Sequence, residues 1–362
     1  MRRTWMKTVV TYLVPLVLVV LTSWYLVNGM SSDDWLYVQR DIFRLDPLFF
    51  TAAVLLALLA HVSRALRWCY LLRPTKEVSL RASFNAVMIG YAANAIVPRA
   101  GEVARPLVLA QRASISNEAA IGSVVLERVL DIVTLLGGIV VAMLISQGAL
   151  VDTMLRLRGT APSTFAAADV ESMMMKLVVL LALLSAGVAA IVFTTVGERV
   201  ISMTFGRVRP AAADSINRAI ARLRQGFSVI RQPRLVTPIL AHTMLIWILY
   251  AATTWGVLLA LPYTATAAAG PIDAMIMLVI LAVAVTVAPT PGAIGVYHVA
   301  GQIALVSLYG ATPAEGFVFA MVSWFINQGL ALGVGGIAWI TESRSGIEIR
   351  LFSSTPRENA SS

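Results

Sequence analysis

Ionisable side chains inside apolar runs are the first residues in this sequence that could do chemistry. In the run 119–146, Glu127, Arg128 and Asp131 sit eight or more residues in from the start of an otherwise apolar stretch. Glu127 and Asp131 are spaced i, i+4 and Arg128 precedes Asp131 by three, so a helix gathers all three in one sector. A charge at bilayer depth costs roughly 2.5–3.5 kcal/mol on insertion scales, so such residues face a partner or a watery cavity. A functional site explains them better than the plainer alternative, a self-neutralising patch that staples helices together.

A second group lies just upstream. The segment Asn94-Ala95-Ile96-Val97-Pro98-Arg99-Ala100-Gly101-Glu102-Val103-Ala104-Arg105-Pro106 ends a short apolar helix on a proline and spaces Arg99, Glu102 and Arg105 by three. A helix broken inside a membrane exposes backbone groups and helix-end dipoles, which must line a cavity or meet a ligand. Two arginines there could hold a phosphate bidentately. An Arg–Glu–Arg ladder at the membrane interface explains the same spacing equally well. Further upstream, His61, Arg64 and Arg67 recur every three residues beside Trp68 and Tyr70. Snorkelling and aromatic anchoring are the leading explanation, and an anion-attracting mouth shared with Arg99 is the alternative.

The third group is Pro289-Thr290-Pro291-Gly292-Ala293-Ile294-Gly295-Val296-Tyr297-His298, where two prolines end one helix and the glycines permit close backbone approach. With Pro98 and Gly101, the residues Pro289, Pro291, Gly292 and Gly295 are the candidate hinges. His298 could titrate near neutral pH, although a lone histidine on an apolar helix is usually just hydrogen-bonded. Gly329 and Gly333 form a small-xxx-small pair suited to packing.

The elements that must position these residues are membrane helices. Of the 362 residues, 58% are hydrophobic and 13% charged, outside the balance of a soluble globular chain. A hydrocarbon core needs about 20 apolar helical residues to cross. Such runs occupy 8–27, 48–68, 82–98, 119–146, 174–196, 236–261, 272–289, 292–309 and 316–340. The runs 82–98 and 292–309 are short and adjoin Pro/Gly clusters, so they are candidates for broken or re-entrant helices. The expectation is an all-α polytopic membrane bundle of about eight spans over 1–340. A loose echo between 1–146 and 236–340, joined by 147–235, suggests an internal repeat. Period-two alternation, the mark of a β-barrel, is missing from these runs.

Charge sets the expected orientation. Segment 28–47 carries Asp33, Asp34, Asp41 and Asp46 against Arg40 and Arg44 and belongs outside, whereas 197–235 holds eight arginines against Glu198 and Asp214 and belongs in the cytoplasm. The N-terminus, with Arg2, Arg3 and Lys7, is then cytoplasmic, and the first run reads as an uncleaved span. Residues 214–232 pattern as an amphipathic helix on the cytoplasmic leaflet or a solvated basic connector, and 341–362 as a disordered tail. The basic excess suits anionic lipid headgroups rather than nucleic acid. Three scattered histidines and a single cysteine offer no metal or haem signature, and no Walker A, GxGxxG or GxSxG motif occurs, so no cofactor is expected.

Four places together resemble the flippase-like transmembrane region of bacterial lysylphosphatidylglycerol synthases, a family that includes stand-alone membrane proteins. They are Arg64-Ala65-Leu66-Arg67-Trp68, Asn94 through Arg105, Glu127-Arg128 with Asp131, and Pro289 through Val296. The resemblance spans nearly the whole chain. It implies a polytopic lipid-handling protein, moving aminoacylated phospholipids, hopanoid-type lipids or lipid-linked intermediates between leaflets. These 362 residues hold no stretch that would form the soluble aminoacyl-transfer domain of the full-length synthases, so lysine transfer from tRNA is not expected of them. Position 298 is His where the family motif usually has Glu, and the last span carries Trp324 and Asn327 where an arginine is common. The function expected is therefore a lipid flippase or transporter rather than an enzyme, with Arg64, Arg67, Asn94, Arg99, Glu102, Arg105, Glu127, Arg128, Asp131 and His298 at its substrate site. The alternatives are a membrane-embedded headgroup transferase, with Glu102 or Asp131 as base, and a non-catalytic subunit positioning a membrane biosynthetic enzyme.

Overall fold

Helices that are apolar all round must leave one side against lipid and bury the rest, the reverse of the sorting in water. The computed structural model shows this inversion: Leu55 and Ile248 are 60% and 63% exposed, while Arg67 and Glu127 are fully buried. It describes residues 13–145, 232–263, 266, 269–288 and 290–344, together with Val179 and Leu183. The remainder of the run 174–196, residues 214–231 of the amphipathic stretch, the hinge residue Pro289 and everything after Arg344 lie outside the described residues.

The elements are α1 (Val14–Asn28), α2 (Ser32–Asp41), α3 (Pro47–Leu72), α4 (Leu80–Ile96), α5 (Gly101–Ala113), α6 (Asn117–Ile145), α7 (Pro233–Ala260), α8 (Pro271–Val287), α9 (Val296–Tyr309), α10 (Pro313–Trp324) and α11 (Leu330–Arg344). No strand occurs among the described residues, and the chain is a polytopic helical membrane protein. Local chemistry marks the starts. Proline opens α3, α7, α8 and α10, where its missing N–H costs nothing. Ser31 with Asp34 and Thr312 with Glu315 form capping boxes. Segment 28–47, expected as an outer connection, contains α2, bent 101° from α1.

Helices α3 and α7 form the central antiparallel pair. The Asp46 N–H donates to the Ala260 carbonyl at 2.8 Å at one end, and the Tyr70 and His242 rings lie 5.7 Å apart toward the other. One apolar core surrounds the first end, with Leu26, Ala53, Leu258, Met277, Phe319 and Ile326. A second surrounds the other, with Trp68, Leu72, Met88, Leu109, Leu126 and Ile239.

Among the described residues, two helical hairpins pack beside this pair. Near the start of α4, Asn85 donates to Glu342 at 2.7 Å, and near the end of α5, Arg112 lies 3.7 Å from the same carboxylate. Both limbs therefore end at one face, the Leu72 face. At the start of α8, Asp273 accepts from Tyr309 at the end of α9, at 2.9 Å, and this pair shares the Asp46 face. The stretch Pro291–Tyr309 is long and apolar enough to cross a membrane. This contact makes it instead the returning limb of a hairpin whose other limb is α8. By contrast α10 and α11, joined through a π-turn at Phe325–Gly329, run from Glu315 beside Tyr37 to Glu342 beside Asn85 and cross completely. Helix α11 continues past Ile340, where the polar tail was expected to begin, because Glu342 is held by Asn85 and Arg112.

Candidate functional site

The turn of the first hairpin follows from its residues. Pro98 forces Val97 into extended backbone at φ −132°, ψ 125°, which stops α4. The chain reverses through Arg99 in the left-handed region at φ 63°, and α5 restarts at Gly101. The limbs pack so closely that a Cβ on Gly101 would collide with the Gly90 carbonyl oxygen, so only glycine fits there. The Asn94 side chain accepts the Gly101 N–H at 2.7 Å and staples the two limbs. In the second turn Gly292 and Gly295 have φ of 57° and 81°, and Ala293, without glycine's freedom, has 60°. The Trp324 indole donates to the Gly292 carbonyl at 2.8 Å, and Tyr297 pairs with Ser323 at 2.7 Å, fixing this turn to α10.

The two turns meet. A Cβ on Gly292 would lie 3.7 Å from the Ala95 Cα, and the Arg99 guanidinium donates to the Thr286 carbonyl at 3.1 Å. Thr286 is in the last turn of α8, so Arg99 caps a helix C-terminus and its negative dipole end.

Behind the first turn, α5 carries Arg105 into a buried charge cluster. Arg64 and Arg67 enter from α3, and Glu127, Arg128 and Asp131 from α6. Glu127 lies 2.9 Å from Arg64, 3.2 Å from Arg67 and 3.1 Å from Arg105. Asp131 lies 2.8 Å from Arg67 and 3.4 Å from Arg64. Arg128 flanks both carboxylates at 3.6 and 3.8 Å, with its side chain 38% exposed. Arg64 is eight residues from the end of α3, about 12 Å along the helix from the Leu72 face.

Neutral groups complete the surroundings. Thr243 of α7 accepts from Arg67 at 3.2 Å, and the Arg64 guanidinium sits 6.0 Å from the Tyr250 ring. Arg105 lies over Trp68 at 5.2 Å, a cation–π distance, and the Trp68 indole donates to Ser123 at 2.8 Å.

Of the candidate residues, the structure brings together Arg64, Arg67, Arg105, Glu127, Arg128 and Asp131. It does not bring in Arg99, Glu102 or His298. Arg99 is exposed at the hairpin turn, and Glu102, one turn before Arg105, is exposed on the outer face of α5. His298 is buried against Trp324 and Phe317, its Nδ1 accepting the Gly295 N–H at 3.3 Å. Asn94 serves the backbone. The snorkelling explanation for Arg64 and Arg67 is corrected: both are buried and ion-paired, and Trp68 is buried rather than anchored at an interface. The expected packing role of Gly333 belongs to Gly335. No side chain or neighbouring backbone lies within 4 Å of a Cβ at Gly333, whereas one at Gly335 would strike the Met88 carbonyl.

Ser123, Thr243 and Tyr250 were not singled out from the sequence. Their signal was faint: Ser123 precedes Glu127 by four residues, and Thr243 and Tyr250 are two turns apart in an apolar run. Comparison with curated proteins and with solved structures returned no match. The family model described as the lysylphosphatidylglycerol synthase TM region matches residues 8–335, and this membrane-integral chain belongs to that family.

Proposed function

We propose that this chain is a lipid flippase or lipid transporter of the cytoplasmic membrane, handling an anionic or aminoacylated phospholipid or a lipid-linked intermediate. One observation carries the reading: guanidinium groups from α3 and α5 converge inside the bundle on carboxylates of α6, directly behind a broken helix. Buried ion pairs are a poor source of stability, since well-packed apolar residues usually do as well. A site that must receive a charged headgroup needs them. In this reading the arginines hold the headgroup anion, and the carboxylates pair the arginines while the site is empty.

The paired hairpins supply the moving parts. Each turn holds a residue other than glycine in the left-handed region, Arg99 and Ala293, a strained geometry that a change of state can release. Because Arg105 belongs to the limb that begins at Gly101, rocking that limb changes its distance from Arg64 and Arg67. The Leu72 face, rich in Arg73, Lys76, Arg81 and Arg112, faces the cytoplasm, and the Asp46 face the opposite side. The N-terminus is then cytoplasmic.

The experiment is a headgroup-accessibility assay on protein reconstituted in vesicles. Wild type is expected to move labelled lipid between leaflets, and Glu127→Gln and Arg105→Gln to abolish it. Equal translocation by all three proteins would remove the cluster from the mechanism.

A further inference from the structure

The charge cluster does not balance. Four guanidinium groups, on Arg64, Arg67, Arg105 and Arg128, face two carboxylates, on Glu127 and Asp131, leaving an excess of two positive charges. Arginine does not lose its proton in proteins, so the excess cannot be relieved by titration. The other groups facing the cluster, Thr243, Tyr250, Tyr91, Trp68, Ser123 and the histidines His61 and His242, supply no negative charge that compensates.

The donors are also underused. Each guanidinium has five N–H groups. Among the described residues, Arg64 and Arg105 each make one hydrogen bond, both to the same Glu127 oxygen, and Arg67 makes one, to Thr243. The Nε atoms of Arg64 and Arg67 and Nη2 of Arg105 are buried without a hydrogen-bond partner. Nη2 of Arg67 lies 2.8 Å from Asp131 but without hydrogen-bond alignment. Two carboxylate oxygens, Glu127 Oε2 and Asp131 Oδ1, lack a hydrogen-bond partner as well, so the guanidinium donors of three arginines gathered around Glu127 and Asp131 outnumber the idle acceptors and suit an acceptor-rich anion.

We propose that this cluster takes a lipid whose headgroup carries two negative charges, a phosphomonoester or a diphosphate, in preference to a phosphodiester or a cationic aminoacylated lipid. The proposal rests on the lipid-handling reading above and narrows its substrate class. A phosphomonoester brings up to two charges and three acceptor oxygens, matching both the excess charge and the idle donors. A phosphodiester would leave one positive charge uncompensated, and a lysyl headgroup would add to the excess.

The test measures binding by purified full-length protein at pH 8, using phosphatidic acid, phosphatidylglycerol and lysylphosphatidylglycerol with identical acyl chains. Phosphatidic acid is expected to bind about tenfold or more tightly than phosphatidylglycerol, because an extra charge in a buried site is worth more than in water. Lowering the pH through about 6, where a phosphomonoester loses its second charge, should shrink that preference. Arg128→Gln should reduce it and Asp131→Asn should increase it. Opposite shifts from two neighbouring substitutions cannot come from misfolding. Equal binding of the mono- and diester lipids, or same-direction shifts in the two variants, would overturn the proposal. Inorganic phosphate or pyrophosphate competing as well as phosphatidic acid would overturn its lipid part. Transport of phosphatidylglycerol without any preference would leave the flippase reading standing and sink this one, whereas selective binding without transport would do the reverse.

Discussion

Arg105 and Glu127 meet at 3.1 Å inside the bundle, and this pair joins the returning limb of a helical hairpin to the next membrane helix. Arg105 lies four residues beyond Gly101, where the returning limb of the hairpin begins. Whatever moves the turn therefore moves a charge against a fully buried carboxylate.

Removing that carboxylate leaves three buried arginines with one remaining anion. Glu127→Gln is expected to cost about 3–5 kcal/mol, the usual penalty for breaking a buried pair from one side. The melting temperature in detergent, measured with the double variant Glu127→Gln/Arg105→Gln, checks it. The double variant should lose less than the sum of the single losses, because the second change removes a charge the first one stranded.

Close packing at the hairpin base makes Gly101 intolerant. Gly101→Ala drives a methyl group into the Gly90 carbonyl and should destabilise by roughly 1–3 kcal/mol, as overpacking does. Ala100→Gly, one position earlier and with ordinary backbone geometry, should show only glycine's modest helix penalty. Equal melting temperatures for the two would contradict the limb contact.

The second turn predicts the opposite sign. Ala293 at φ 60° has a conformation that glycine adopts freely, so Ala293→Gly should raise stability by about 1 kcal/mol. Arg99→Gly relieves the same kind of strain but also removes the bond to the Thr286 carbonyl, so its net change should be smaller. Thermal unfolding of both variants separates the two effects.

Sidedness of the hairpins can be read with a membrane-impermeant thiol reagent after Cys69→Ser. Single cysteines at Lys76 and Asn117, which bracket the α4–α5 hairpin, should label from one side of the membrane. Those at Pro262 and Pro313, which bracket α8–α9, should label from the other. Labelling of Lys76 and Asn117 from opposite sides would make the first hairpin a crossing segment.

Much of the architecture is written in local chemistry. Long apolar runs dictate membrane helices, because backbone groups in hydrocarbon must bond within their own segment. Pro98 and Pro291 mark the breaks, since proline cannot continue a hydrogen-bonded helix. The spacing of Glu127, Arg128 and Asp131 puts them on one helix sector, and α6 bears that sector. What the sequence could not decide was which arginines those acids would meet. Arg64 and Arg67 look like interface anchors, and Arg99, Glu102 and Arg105 look like one ladder, because helical spacing reports a face but not what packs against it. Tertiary packing separated them. The turn at Pro98–Gly101 leaves Arg99 on a helix end of the opposite hairpin and Glu102 on the outside, while the contact of Gly90 with α5 turns Arg105 inward to Glu127. An ion pair 22 residues apart, or 63 as for Arg64 and Glu127, is set by how helices pack across the bundle, and no local pattern encodes that distance.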